Sequence, residues 1–348
     1  MSLCVKMYHE RKGLDTSEIR RIVFKNLRSR PTYWKCWLRG VIATKVVRET
    51  AEHGYSCLPS FSYMIDALNV GTTYFIMVNK VDCGFMYYFL ALGPCIRGFV
   101  HMRKVIAVDD THLYGKYEGV MLSAVAQDME NHIYPIAFCA VDKKNDASWT
   151  FFFEKLKSIM VDGPDLCFIS DRHKSIANGI TKAYNYAHHG YCMRSLGENL
   201  WVHHHCGEHL YLFYKAVKAY SPEEFSDHFV EFKNYFLEVA FFLEHELDFE
   251  KWSRVYFLDN RFDVMTTNIV EFVNAMLIAE REYPMAYIFN SIAKRFGDIF
   301  RERRAYILKY KDNKFMPAAE KILRDNMSEG DSQWLYGQSR PTGKVVFL

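Results

Sequence analysis

The amino-acid sequence predicts an α/β protein built on a mixed sheet, with a helical region before the sheet and another after it. Two observations carry this reading. Between residues 103 and 192 the apolar residues run as strand, strand, strand, helix, strand, helix, strand, and three successive strands followed by alternating helices describe a mixed sheet that begins as a meander. On either side of that stretch, apolar residues recur at helical spacing.

From residue 17 to about 95, Leu, Ile, Val and Tyr fall at helical intervals broken at "SRP", "HGYSCLPS" and "NVGTT". A helical N-terminal region over residues 1–100 is therefore expected. Strands are predicted over 105–109, 120–127 and 133–141, a helix over 149–160, a strand over 166–170, a helix over 174–184 and a strand over 187–192. The helix at 149 has the clearest pattern, because Trp149, Phe152, Phe153, Leu156, Ile159 and Met160 share one face and suit a sheet surface. After residue 196 the chain turns helical through 325, with acids and aromatics interleaved as in "PEEFSDHFVEFKNYFLEVAFFLEHELDFEKW", and residues 326–348 read as a tail. There is no internal repeat and no low-complexity segment.

A 348-residue chain with 50% hydrophobic and 24% charged residues has ample material for a packed core. No apolar run reaches the roughly 18 residues of a membrane span, and "MSLCVKMYHERKG" lacks the apolar centre of a signal peptide, so an intracellular protein without membrane contact is expected. Nine scattered cysteines with no CxxC pair suit free thiols in a reducing compartment. The net charge is +3, yet residues 1–60 hold 12 Lys and Arg against five Asp and Glu, a local surplus of seven. Such asymmetry suits a phosphate backbone near Arg20, Arg21, Lys25, Arg28, Arg30 and Lys35; solvated amphipathic helices would show the same count.

Two acids stand at strand ends. Asp109 closes the strand Val105–Val108, and Asp171 closes Leu166–Ser170. Neighbouring parallel strands deliver their C-terminal ends to one crevice, and carboxylates crowded there repel unless a hard divalent ion such as Mg²⁺ or Mn²⁺ neutralises them. A third acid, Glu271, lies in the first turn of the helix expected after "TTN". Asn268 and Glu271 also have capping-box spacing, so a role in the helix terminus is the competing reading. "AHHGYCMRSLGENLWVHHHCGEH" gathers histidines and cysteines chemically able to hold zinc, but their spacing matches no familiar finger.

The blocks "VIAVDDTHLYGKYEGVMLSAVAQDMENHIYPIAFCAVDKKNDASWTFFFEKL", "CFISDRHKSIANGI" and "RFDVMTTNIVEFVNAMLIAEREYP" resemble the plant Mutator-like element (MULE) transposases of the MuDR group, over residues 100 to 310 or so. The resemblance implies a ribonuclease H-like domain over about 101–325 with a large all-helical insertion near 196–262. It also implies a DDE triad at Asp109, Asp171 and Glu271 that holds two Mg²⁺ or Mn²⁺ ions and performs DNA strand cleavage and transfer at transposon ends. Arg172 and His173, directly after the second acid, become candidate phosphate contacts beside Arg20, Arg21 and Lys25. DNA as partner, a homo-oligomer on that DNA and a nuclear location follow from the same likeness. A domesticated, non-catalytic DNA-binding regulator of the far-red impaired response type is the alternative.

Three departures from the family pattern bear on activity. The family has Gly after its first catalytic Asp, where this chain has Asp110, which either joins the metal ligands or turns away; pointing into the crevice, it would weaken cleavage in Mg²⁺. The family's Cys-x-x-His appears as Cys192 with Ser195 in place of His, and "GQSRPTGKVVFL" carries no SWIM-type finger, so a truncated or degenerate transposase is expected.

If the basic surplus before residue 60 follows a duplex backbone, affinity for DNA should fall steeply with added salt and depend little on sequence. Charge reversal at Arg20, Arg21 and Lys25, measured by fluorescence anisotropy at several salt concentrations, should lower both the affinity and the slope; unchanged binding would leave these side chains as solvated charges.

Overall fold

The structure, a computed structural model, describes residues 16–27, 31–37, 51–81, 84–114, 118–257 and 264–310, with 313, 316–318, 320, 321 and 324. Its centre is a seven-stranded mixed sheet. The strands are β1 (Thr73–Val78), β2 (Phe85–Ala91), β3 (Val105–His112), β4 (Val120–Gln127), β5 (Ile133–Val141), β6 (Cys167–Ser170) and β7 (His188–Tyr191), in the spatial order β1-β2-β5-β4-β3-β6-β7. β3, β4 and β5 form the antiparallel meander, and β6 and β7 add in parallel beyond β3.

The helices before the sheet are α1 (Thr16–Leu27), α2 (Ala51–Ser56) and α3 (Leu58–Leu68), and α4 (Gly93–Gly98) follows β2. The N-terminal region is thus not wholly helical as its spacing suggested. "TYFIMV" and "FMYYFLA" form β1 and β2, which pair with each other and extend the sheet past β5. The reason lies in tertiary placement. Unbroken apolar and aromatic runs of this length fit a strand or a buried helix equally well, and pairing to β5 decides for the strand.

Helices cover both faces. On one side α5 (Asp146–Lys157) and α6 (Lys174–Ala183) pack together over the sheet, with the Phe153 ring 5.4 Å from that of Phe168 on β6 and the Phe152 ring 6.0 Å from that of Phe89 on β2. Asn145 caps α5 in a reciprocal capping box with Ser148, which sets the helix start just beyond β5. On the other side lie α12 (Asn268–Met276) and α13 (Met285–Lys309), with Phe296 of α13 meeting Phe138 of β5 edge-on. Between β7 and α12 the described residues carry the helices α7 (Met193–His204), α8 (Leu210–Lys218), α9 (Pro222–Tyr235), α10 (Leu237–His245) and α11 (Phe249–Trp252). These helices bury their own core around Phe213, Phe225, Phe232 and Trp252, separate from the core of the sheet.

α5 and α6 approach closely at Gly179, where an added Cβ would stand 2.8 Å from Cδ2 of Phe153 and 3.1 Å from the Trp149 backbone. A Gly179→Val substitution should therefore force the helices apart and lower stability by roughly 1–3 kcal/mol. Urea unfolding followed by circular dichroism measures the change.

Candidate active site

The strand register builds the site. β3 and β6 pair in parallel with Ala107 beside Ile169; continued by two residues, this sets Asp109 beside Asp171 on one face. In the antiparallel direction Asp109 stands opposite Ser123 of β4. β6 pairs with β7 so that Ile169 lies beside Gly190, and the same continuation sets Asp171 beside Cys192. Ser123, Asp109, Asp171 and Cys192 thus form a row across four strands, near their edge, on one face of the sheet.

Helix α12 spans that row. At one end, the Thr267 backbone N–H and hydroxyl both donate to Sγ of buried Cys192, each at 3.4 Å, and the Met193 N–H donates to the Met265 carbonyl at 2.8 Å. At the other end, the Ser123 hydroxyl donates to Oδ1 of Asn274 at 3.3 Å. Seven residues of helix rise about 10 Å, and three interstrand steps cover about 14 Å, so α12 bridges from the Cys192 end to the Ser123 end with its side chains making up the difference. Glu271 lies between Thr267 and Asn274, on the stretch of helix that crosses the two aspartates.

The side chain of Glu271 is held by Arg194 of α7. Nη1 of Arg194 is 2.8 Å from Oε2 of Glu271 and 3.2 Å from Oδ1 of Asn268, while its Nε donates to Oε1 of Glu198 at 2.9 Å. Thr267 is the N-cap of α12 and makes no side-chain cap bond, so the capping-box reading of Asn268 and Glu271 does not describe this helix start. Among the described residues, no three His, Cys, Asp or Glu side chains are gathered as metal ligands would be. The aspartates neighbour each other, and the glutamate is tied to the guanidinium.

Electrostatics single out Asp109. Burial, then the charges of Asp110 and Asp171, push its carboxyl up to about 7, against a backbone hydrogen bond from Asp110 and the charge of Lys144. A desolvated carboxyl beside a second acid is the donor set that a hard divalent cation stabilises, so Asp109 and Asp171 fit Mg²⁺ or Mn²⁺.

Asp110 belongs to the other face. Alternation along β3 turns it away from the row, and Nζ of Lys144, in the turn before α5, stands 2.5 Å from its Oδ1. The carboxylate that the sequence left between two outcomes is therefore matched by a lysine on the α5 side. Asp171 accepts from the His173 N–H at 3.0 Å. Nδ1 of His173 accepts from the Ser175 N–H at 3.3 Å and caps α6. The Arg172 guanidinium, half-buried, lies 5.5 Å from the centre of the Phe242 ring of α10.

Arg20, Arg21 and Lys25 are exposed on α1, where Arg21 approaches Glu18 at 3.9 Å; Lys35 is exposed as well, and Arg28 and Arg30 lie outside the described residues, as does the 326–348 tail. Sequence reasoning missed Lys144, Arg194, Thr267, Asn274 and Ser123. Of these only the basic pair in "DKKND" between β5 and α5 was a visible signal.

An acidic pair on the adjacent parallel strands β3 and β6, spanned by a helix that carries a third acid, is the candidate active site; Asp109 does not close β3, contrary to the expectation from sequence, because pairing with β4 carries the strand on to His112. Residues 105–199, from the start of β3 into α7, match the MULE transposase domain family. No curated protein matches the chain. Among the described residues no helix is long and apolar enough to cross a membrane.

The raised Asp109 group gives a signed expectation for stability. Its folded pKa lies above the ordinary carboxylate value, so its contribution is full at low pH and is lost as pH rises from about 4 to about 7. In metal-free buffer, Asp109→Asn should leave the melting temperature nearly unchanged at pH 4 and raise stability at pH 8 by roughly 2–4 kcal/mol. An equal effect at both pH values, in calorimetric scans, would show that the carboxyl is not strained by its surroundings.

Proposed function

We propose that this chain is the catalytic core of a Mutator-like DDE transposase with a ribonuclease H-like fold, cleaving and joining DNA strands at transposon ends. The row Ser123, Asp109, Asp171 and Cys192, spanned by the helix that bears Glu271, is the observation that carries the reading. The match of residues 105–199 to the MULE transposase domain supports the same class of activity.

In this proposal Asp109, Asp171 and Glu271 hold Mg²⁺ or Mn²⁺. Bound ions would lower the pKa of the attacking hydroxyl and neutralise charge on the scissile phosphate. The protein's own part is positional. The β3–β6 register keeps the two aspartates side by side, and the bonds of Thr267 and Asn274 fix the line along which Glu271 approaches them. Ser123 holds Asn274, so it orients α12 and takes no part in the chemistry. The exposed Arg20, Arg21 and Lys25 of α1 supply charge for a phosphate backbone. A homo-oligomer on DNA and a nuclear site of action belong to the proposal, since joining two ends calls for two active sites.

Purified full-length chain should nick a labelled duplex bearing Mutator-like terminal repeats in Mg²⁺. Asp109→Ala, Asp171→Ala and Glu271→Ala should each lower the rate by roughly a thousandfold, the scale of several kcal/mol of metal-borne stabilisation. Asp110→Gly should cleave about as well as the unmodified chain, because Asp110 is turned toward Lys144. Binding of the duplex with no cleavage in either Mg²⁺ or Mn²⁺ would instead favour the non-catalytic DNA-binding regulator.

A further inference from the structure

Arg194 is the cation held against Glu271 and has no part in the reading above. Its guanidinium occupies the Glu271 carboxylate, with Nη1 also on Asn268 and Nε on Glu198. Three features distinguish this from an incidental surface pair. The first is location: Arg194 follows Cys192 and Met193, the two residues that bind Thr267 and Met265, so the start of α7 and the start of α12 are stitched together residue by residue. The second is exposure. The side chains of Arg194 and Glu271 are 47% and 43% exposed, and pairs this open to water contribute little to stability. The third is the separate bond to Glu198, one turn further along α7, which anchors the guanidinium whether or not Glu271 remains on it.

From these contacts we infer that Arg194 is an exchangeable counter-ion for Glu271: divalent metal displaces it from the carboxylate, and the freed face of its guanidinium then receives a DNA phosphate beside the aspartates. The inference rests on the proposed metal site. Its physical basis is a comparison of two cations for one carboxylate. A weak, solvated ion pair yields to a divalent ion that Glu271 shares with the Asp109–Asp171 pair. Release leaves Nη1 without its acidic partner but still held near the crevice through Nε and Glu198. A planar guanidinium with two free N–H groups matches the geometry of a phosphate. Metal loading and DNA engagement are thereby coupled through one side chain, and Arg194 is a positioning residue for Glu271 before the exchange and a substrate contact after it.

The test uses the full chain with two readouts other than cleavage. Mn²⁺ affinity is measured by titration calorimetry, and affinity for a short end duplex by anisotropy, both in metal-free buffer and in Ca²⁺. Arg194→Met should tighten Mn²⁺ about twofold to fivefold, the span that an exposed ion pair is worth. It should leave duplex affinity in metal-free buffer unchanged and lower it about tenfold in Ca²⁺, the scale of a charge-assisted phosphate contact. Arg194→Lys, which keeps the charge without the fork, should fall between. A melting temperature equal to that of the unmodified chain confirms that Arg194→Met is folded. Weaker or unchanged Mn²⁺ binding in Arg194→Met, or an equal loss of duplex affinity with and without Ca²⁺, overturns the exchange. An unmodified chain that binds Mn²⁺ no better than Asp109→Ala overturns the metal site and the exchange together.

Discussion

The parallel register between β3 and β6 is the constraint on which the candidate site depends. Side chains alternate along a strand, so a slip of one residue would carry Asp109 to the α5 face and leave Asp171 facing Val108 or Asp110. The apolar runs prevent this. Val105, Ile106, Ala107 and Val108 are buried, as are Cys167, Phe168 and Ile169, and each face of the two strands meets different partners. Phe168 packs on Phe153 and Tyr184 of the α5–α6 side. Val105, Cys167 and Ile169 gather with Cys192 and Val264 on the other. Moving either strand by one residue would exchange these sets. The raised pKa of Asp109 follows from the same packing, since a strand pinned on both faces holds this mid-strand carboxyl away from water.

The second device is the tie at Cys192. The helical segment leaves the sheet at Cys192 and returns at Val264 and Met265, close to where it left, as the bonds Met193 to Met265 and Thr267 to Cys192 require. Closing a loop costs little more as it lengthens, and the helices between these ends form their own core around Phe213 and Trp252. A long insertion can therefore sit between the second acid and the third without disturbing the line of α12. Cys192 accomplishes this as an acceptor: its thiol receives the Ser195 and Thr267 N–H groups and so joins the starts of two helices.

Much of this was legible in the sequence. The strands and helices between 105 and 191 follow from apolar period, and Asp171 stands just past β6 as expected, whereas β3 runs on beyond Asp109 to His112 because pairing with β4 continues through the polar residues. β1 and β2 were not legible, because "TYFIMV" and "FMYYFLA" are almost wholly apolar or aromatic and carry no period of their own; the strand that ties them to the sheet, β5, pairs with β2 from more than 40 residues downstream. Glu271 was a candidate from its place after "TTN", but a glutamate in a first helical turn is ordinary, and only the likeness to a family set it above the helix-terminus reading. Arg194 and Asn274 could not be read at all. Their meaning is a contact across 77 residues in one case and 151 in the other, and no local pattern encodes which helix an arginine or an asparagine will meet.

Asp110 shows how a departure in sequence is resolved by geometry. Two adjacent carboxylates suggest crowding when written as "DD", and a third nearby would raise the cost further. On a strand, however, neighbours in sequence are not neighbours on a face. Asp109 shares its side with Ser123 and the line of α12, whereas Asp110 lies opposite Leu122 and reaches Lys144 at the head of α5. Asp110 therefore acts on Asp109 in two opposed ways, its backbone N–H lowering the pKa and its side-chain charge raising it, and Lys144 opposes that charge. Because β5, the turn that holds Lys144 and the capped start of α5 are continuous in the chain, the neutralising charge is positioned by the same meander that positions β3. An acid beside the first aspartate is thus compatible with the acidic pair proposed to hold metal on the opposite face.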